Sequence, residues 1–134
     1  MRRVVITGMG VVTPIGNTVD EFEAGLYSGK NGIDRITRFN TEGYRVHLAG
    51  EVKDFDAAAY LEPRELRKMD LFTIYAMVAA EQALSGSGVM GRADPNRVGV
   101  IIGSGIGGIK VLETPTGYSW RAGHARSVPF SFPC

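Results

Sequence analysis

The chain has 134 residues, fifteen Lys and Arg against fourteen Asp and Glu, and a formal net charge of +1. That length allows one domain or part of one, and so even a charge balance gives no electrostatic case for nucleic acid or an anionic membrane surface as partner. With 44% hydrophobic and 22% charged residues, the composition excludes a disordered chain. The opening Met1-Arg2-Arg3 before Val4-Val5-Ile6 is broken as a leader by Thr7, Gly8, Gly10, Thr13 and Pro14, and no apolar run reaches the ~18 residues of a spanning helix. A cytoplasmic protein is expected. Val4 to Thr7 reads as a buried, parallel-type strand, because it is apolar on both faces. Thr18-Val19-Asp20-Glu21 is a capping box that opens a helix. Val19, Phe22 and Leu26 share its inner face, and Gly29 ends it. Residues 30–42 read as loop. Val46, Leu48 and Val52 alternate with polar neighbours, as in a half-exposed strand or hairpin arm. A second helix is expected from Glu62-Pro63, where proline suits the first turn. Its stripe runs from Leu66, Met69, Phe72 and Thr73 through Ala76, Ala80 and Ala83 to Leu84, and its alanines invite close approach of a neighbour. Ser85-Gly86-Ser87-Gly88 stops it. Val98 to Ile102 reads as another buried strand, giving an α/β order of strand, helix, helix, strand.

Gly103-x-Gly105-x-x-Gly108 follows that second strand and matches a dinucleotide-binding pattern. That chemistry needs an acidic residue about 20 positions on, and no acid follows Glu113. The turn after the first strand, Gly8-x-Gly10-x-x-Thr13, also lacks the third glycine. Close backbone packing is the favoured role for these glycines. Arg64, Arg67 and Lys68 fall at i, i+3 and i+4, on one face near the start of the second helix. Cations there oppose the helix dipole, which suggests recognition of an anion such as phosphate or an acidic helix. The competing reading is a solvated surface with Glu62, Glu65 and Asp70 as local partners, and spacing alone favours it. Cys134 is the last residue, away from any helix N-terminus or His that would activate a thiolate. His47 and His124 lack companions for a metal site. No catalytic triad or carboxylate pair stands out, and no cofactor is expected.

Residues 3–17, Arg3-Val4-Val5-Ile6-Thr7-Gly8-Met9-Gly10-Val11-Val12-Thr13-Pro14-Ile15-Gly16-Asn17, closely resemble the N-terminus of the condensing enzymes. Phe39-Asn40-Thr41, Ala49-Gly50-Glu51-Val52-Lys53-Asp54-Phe55, Arg67-Lys68-Met69-Asp70 and the run from Arg97 to Gly108 extend the likeness to the type II β-ketoacyl-acyl carrier protein synthases. The resemblance covers residues 2 to about 113. It implies an α/β, thiolase-like layered αβα fold, of which this chain would hold part of the N-terminal half, and a homodimer. It implies decarboxylative condensation of malonyl-acyl carrier protein onto an acyl chain carried by a catalytic Cys, aided by two His and a Lys. Those residues lie beyond the matching segment, so none is assigned here, and the chain alone is expected to be inactive. Two features do carry over. Arg64, Arg67 and Lys68 match the basic patch that receives the acidic acyl carrier protein, which reverses the preference for a bare solvated surface. Ile106 matches a position lining the acyl-chain pocket at the dimer interface. No nucleic acid and no membrane are expected as partners. A non-catalytic carrier-protein-binding fragment is the first alternative, and a small nucleotide-binding α/β domain the second.

From Thr114 the texture changes. Prolines, glycines and hydroxyl residues interleave with aromatics, and no helical or strand period survives. The codons allowed by Thr114 to Cys134, read one base earlier, can spell a helical segment ending in Gly-Pro-Arg-Lys-Val-Ser-Pro-Phe-Phe-Ile-Pro-Met, which resembles the family's continuation. The expectation is therefore a synthase part over residues 1–113 and an irregular, out-of-frame tail over 114–134.

Overall fold

The computed structural model describes residues 3–108; the expected tail over 114–134, with His124 and Cys134, lies outside them. In chain order the elements are α1 (Val19–Tyr27), β1 (Ile33–Arg35), β2 (Leu48–Gly50), α2 (Pro63–Leu66) and α3 (Leu71–Ser87), with short 3-10 turns at Ala57–Ala59 and Pro95–Arg97.

Helix α1 starts as its sequence dictates. Thr18 takes an extended N-cap conformation, and its hydroxyl accepts the Glu21 N–H at 3.2 Å. Glu21 reaches back one residue further than the simplest capping box and accepts the Asn17 N–H at 2.8 Å. Gly29, at φ +66°, follows the C-cap Ser28 and turns the chain away. Val19 and Phe22 are half-buried as expected, but Leu26 is exposed.

β1 and β2 form a two-stranded antiparallel ladder, with Ile33 opposite Gly50 and Arg35 opposite Leu48. The arm around Leu48 was legible. Its partner β1 lies in the stretch that reads as loop, because Ile33-Asp34-Arg35 is too short to show alternation. Lys53 and Asp34 brace the hairpin with a 2.7 Å ion pair.

The second helix is two helices. α2 is one turn with Pro63 at its start. The chain then leaves helical geometry, and Asp70, at φ −75° and ψ 157°, begins α3. The sequence largely hides this break, since residues 66–69 are good helix formers and the apolar stripe runs through them. α3 itself is apolar almost all round, with Glu81 as its one charged residue. Such a helix does not select a face by its period. Ile74 is buried and Val78 fully so, whereas Ala80, Phe72 and Leu84 of the expected stripe are exposed.

Residues 4–7 and 98–102 do not form the expected buried strands. They belong to no ladder, and Val4 and Ile101 are 95% and 99% exposed. Both runs have strand composition, but strand pairing needs a neighbour in register, and none is present among the described residues. The segment after the first run does pack. Gly8 and Gly10 lie directly on α3, where a Cβ on either would collide with the carbonyl oxygen of Ala83 or Ala79.

Candidate functional site at the junction of α2 and α3

Arg64 lies in the single turn of α2, Arg67 is its C-cap, and Lys68 follows. All three are exposed. The helix-dipole penalty does not apply to Arg67, because α2 ends at Leu66 and Arg67 sits at its C-terminal end, whereas Lys68 lies two residues before the N-cap of α3, where a cation is opposed. Arg67 Nε donates to the Pro63 carbonyl at 3.3 Å, which pins one guanidinium across the turn. Among the described residues the only ion pair is Lys53–Asp34. Glu62, Glu65 and Asp70 therefore close no ion pair with the three cations, although they lie within a few residues of them along the chain. What remains is a turn with three exposed cations held in no ion pair among the described residues.

The glycine-rich loop 103–108 comes to the same place. Gly107, at φ +76°, and Gly108 are half-buried against Phe72 and Asp70 at the start of α3. A Cβ at Gly107 would sit 3.6 Å from Phe72 Cζ. Ile106, just before them, is 79% exposed. The fold thus brings the basic turn and the Ile106 loop to one foot of α3, although they are about forty positions apart in sequence. Neither the break before α3 nor the loop's seat on Asp70 and Phe72 was read from the sequence. The available signal was an Asp directly before an apolar run, an N-cap signature.

The same contact bears on the dinucleotide pattern. A pyrophosphate needs N–H groups turned towards open space. Here the carboxylate of Asp70 lies against Gly108, so an anion would meet a like charge. His47 is exposed, with Nδ1 3.2 Å from Thr41 Oγ1. Among the described residues no three His, Cys, Asp or Glu side chains gather as a metal site, and no helix is long and apolar enough to cross a membrane.

A separate shallow cleft of about 290 Å³ lies between the hairpin and α3, lined by Ile36, Phe39, Ala49, Glu51 and Tyr75 together with Arg38. Arg38 Nη2 donates to Tyr75 Oη at 2.9 Å. Glu51 accepts from Thr37 Oγ1 at 2.7 Å and from the Thr37 and Arg38 N–H groups. The Thr37 hydroxyl above all holds the Glu51 carboxyl below its ordinary value; burial opposes it next in size, and the Thr37 and Arg38 backbone donors and the Arg38 charge add smaller lowering effects. None of Arg64, Arg67, Lys68 and Ile106 lines this cleft.

Comparisons with known proteins agree with the sequence resemblance. The sequence profile of the β-ketoacyl synthase N-terminal domain matches residues 1–130, past Glu113. The 3-oxoacyl-[acyl-carrier-protein] synthase 2 of Synechocystis sp. is 43% identical over 98% of this chain and 32% of its own length. The Staphylococcus aureus protein of that name is 45% identical over the same shares. The chain thus spans about a third of the length of these curated relatives. Among solved structures, the ishigamide ketosynthase/chain length factor matches with a TM-score of 0.60 and 42% identity, over 65% of this chain and 22% of that one. A type II polyketide synthase acyl-carrier protein in complex with its ketosynthase bound to the hexaketide matches with a TM-score of 0.59 and 31% identity, over 83% and 32%. These neighbours bear out the expected α/β class of a partial ketosynthase fold. The chain belongs to the β-ketoacyl synthase family and represents part of its N-terminal domain.

Proposed function

We propose that this chain is the N-terminal part of a 3-oxoacyl-acyl carrier protein synthase II, which elongates acyl chains by decarboxylative condensation with malonyl-acyl carrier protein in fatty acid biosynthesis. Its own contribution is recognition. Arg64, Arg67 and Lys68 form the docking face for the acyl carrier protein, and Ile106 lines the acyl-chain pocket of the assembled homodimer. The observation that supports this most is the placement of three exposed cations, none of them in an ion pair among the described residues, beside the Ile106 loop. An acidic helix is the natural complement of such a turn, and charge complementarity of this kind sets orientation and on-rate. One of the solved relatives is itself a ketosynthase held with its acyl-carrier protein. The cytoplasm is the proposed compartment.

The test is a titration of the full chain with acyl carrier protein. Arg67→Glu is expected to weaken binding by about tenfold or more, and added salt is expected to weaken wild-type binding. Affinity untouched by both changes excludes this face. The condensing Cys, His and Lys of the family have no counterpart in residues 1–113, so the chain alone is expected to turn over no malonyl-acyl carrier protein. Measurable turnover overturns that assignment. Residues 1–113 are proposed as the synthase part and 114–134 as the out-of-frame tail. The family match running to residue 130 is the observation this division must withstand. Sequencing the coding DNA across Glu113 decides it: no synthase continuation in the neighbouring frame removes the idea.

A further inference from the structure

Helix α3 begins on an anomaly. Asp70 has the backbone of an N-cap, and its carbonyl accepts the Ile74 N–H at 3.1 Å, yet its side chain makes no capping bond. An Asp in this position ordinarily accepts an N–H from the first turn. The carboxylate is turned instead against Gly108. A Cβ on Gly108 would collide with Oδ2, and would lie 3.1 Å from Cγ and 3.5 Å from Phe72 Cε1. The Phe72 ring also backs Gly107, where the chain is left-handed at φ +76°. These two glycines are the half-buried end of the loop, while residues 103–106 are exposed. The uncapped helix start and the occupied glycine thus share one side chain, in a packing contact to which no hydrogen bond is added among the described residues.

We propose that Asp70 is a positioning residue: its carboxylate, diverted from capping α3, seats the 103–108 loop and fixes Ile106 relative to the basic turn. Lys68 precedes Asp70 by two residues and Ile106 precedes Gly108 by two, so this contact is a short tie between the two features. The tie rests on the geometry alone; only its use in a synthase rests on the function proposed above.

Hydrogen exchange by mass spectrometry on the full chain tests it, with segments 103–108 and 74–87 read separately. Asp70→Ser provides a competent cap but is too short to reach Gly108. It is expected to leave 74–87 within about twofold of wild type and to speed exchange in 103–108 by about fivefold or more. Asp70→Asn keeps the shape of the packing side chain, and is expected to keep both segments within about twofold of wild type. Gly108→Ala is expected to loosen the loop in the wild type and to add little in the Asp70→Ser background, the non-additivity of residues in contact. Unchanged exchange of 103–108 in Asp70→Ser overturns the proposal. So does equal loosening of both segments, which marks a merely structural residue. No partner enters this measurement, so a failed carrier-protein titration would sink the docking face and leave this result readable.

Discussion

Two glycines and two alanines bring the chain ahead of α1 backbone to backbone with α3. Along an extended segment, residues two apart are separated by roughly 6.6 Å. Along a helix, residues four apart rise about 6 Å. Gly8 and Gly10 therefore meet Ala83 and Ala79 in step, backbone against backbone, with no room for a Cβ. The alanine run was legible in the sequence as a surface for close approach, and the glycines as packing residues; that they meet each other was not. Gly8→Ala and Gly10→Ala are each expected to destabilise by about 1–3 kcal/mol, as overpacking does. Gly86 is the control, since it lies inside α3 with nothing within 4 Å of its Cβ position. Gly86→Ala is expected to stabilise by about 0.5–1 kcal/mol through helix propensity. Urea midpoints of the three variants check both signs, and a common shift in one direction for all three contradicts the packing argument.

The elements are tied by polar side chains more than by apolar layers. Gln82 of α3 accepts the Val11 N–H at 3.0 Å and donates to the Asn17 carbonyl at 2.7 Å. Asn17 in turn donates to the carbonyls of Lys53 and Asp54 at 2.8 and 3.2 Å, beyond β2, where Asp54 holds a left-handed φ of 51°. Gln82→Leu leaves a half-buried N–H and carbonyl unpaired, and is expected to cost about 1–3 kcal/mol, read by denaturant unfolding. On the hairpin, Glu51 is held below its ordinary value of 4.5, first by the Thr37 hydroxyl. A lowered folded value means the interaction stabilises above the unfolded value and fades as pH falls through the folded one. Thr37→Val is therefore expected to lower stability at neutral pH and to lose its effect in acid, below the carboxylate range; an effect that grows in acid refutes the assignment. Such ties explain what the sequence disclosed. The start of α1 was legible because Thr18 and Glu21 act within one turn. The break between α2 and α3 was hidden because Leu66 and Met69 carry the apolar stripe straight across it. The basic residues were legible by type and spacing. That they close no ion pair with Glu62, Glu65 or Asp70 was not, since pairing depends on where each side chain is carried.

Across the molecule, sequence and burial disagree in a single direction. Runs with core composition lie open: Val5 and Ile6 are 74% and 83% exposed, and Val100 and Ile102 are 81% and 64%. α3 is apolar on every side, yet Ile74 and Val78 are the only buried apolar side chains among the described residues. Apolar surface left in water forgoes about 25 cal/mol per Å², so so small a core leaves little to set against chain entropy. Residues 98–102 add a specific hazard. They are β-branched apart from Gly99, uncharged and free of proline, with no strand beside them among the described residues. A segment of this kind pairs readily with its own copy in another chain. The chain is therefore expected to be marginally stable and to self-associate as concentration rises, in light scattering. Ile101→Lys is the sharpest probe, because this side chain is 99% exposed and makes no packing to lose. A charge there opposes pairing without touching α3. The scattering mass is expected to fall towards that of one chain, with exchange in 74–87 unchanged. A wild-type chain that is monomeric at the same concentration and melts cooperatively overturns this reading, because its apolar runs would then have found cover within one molecule.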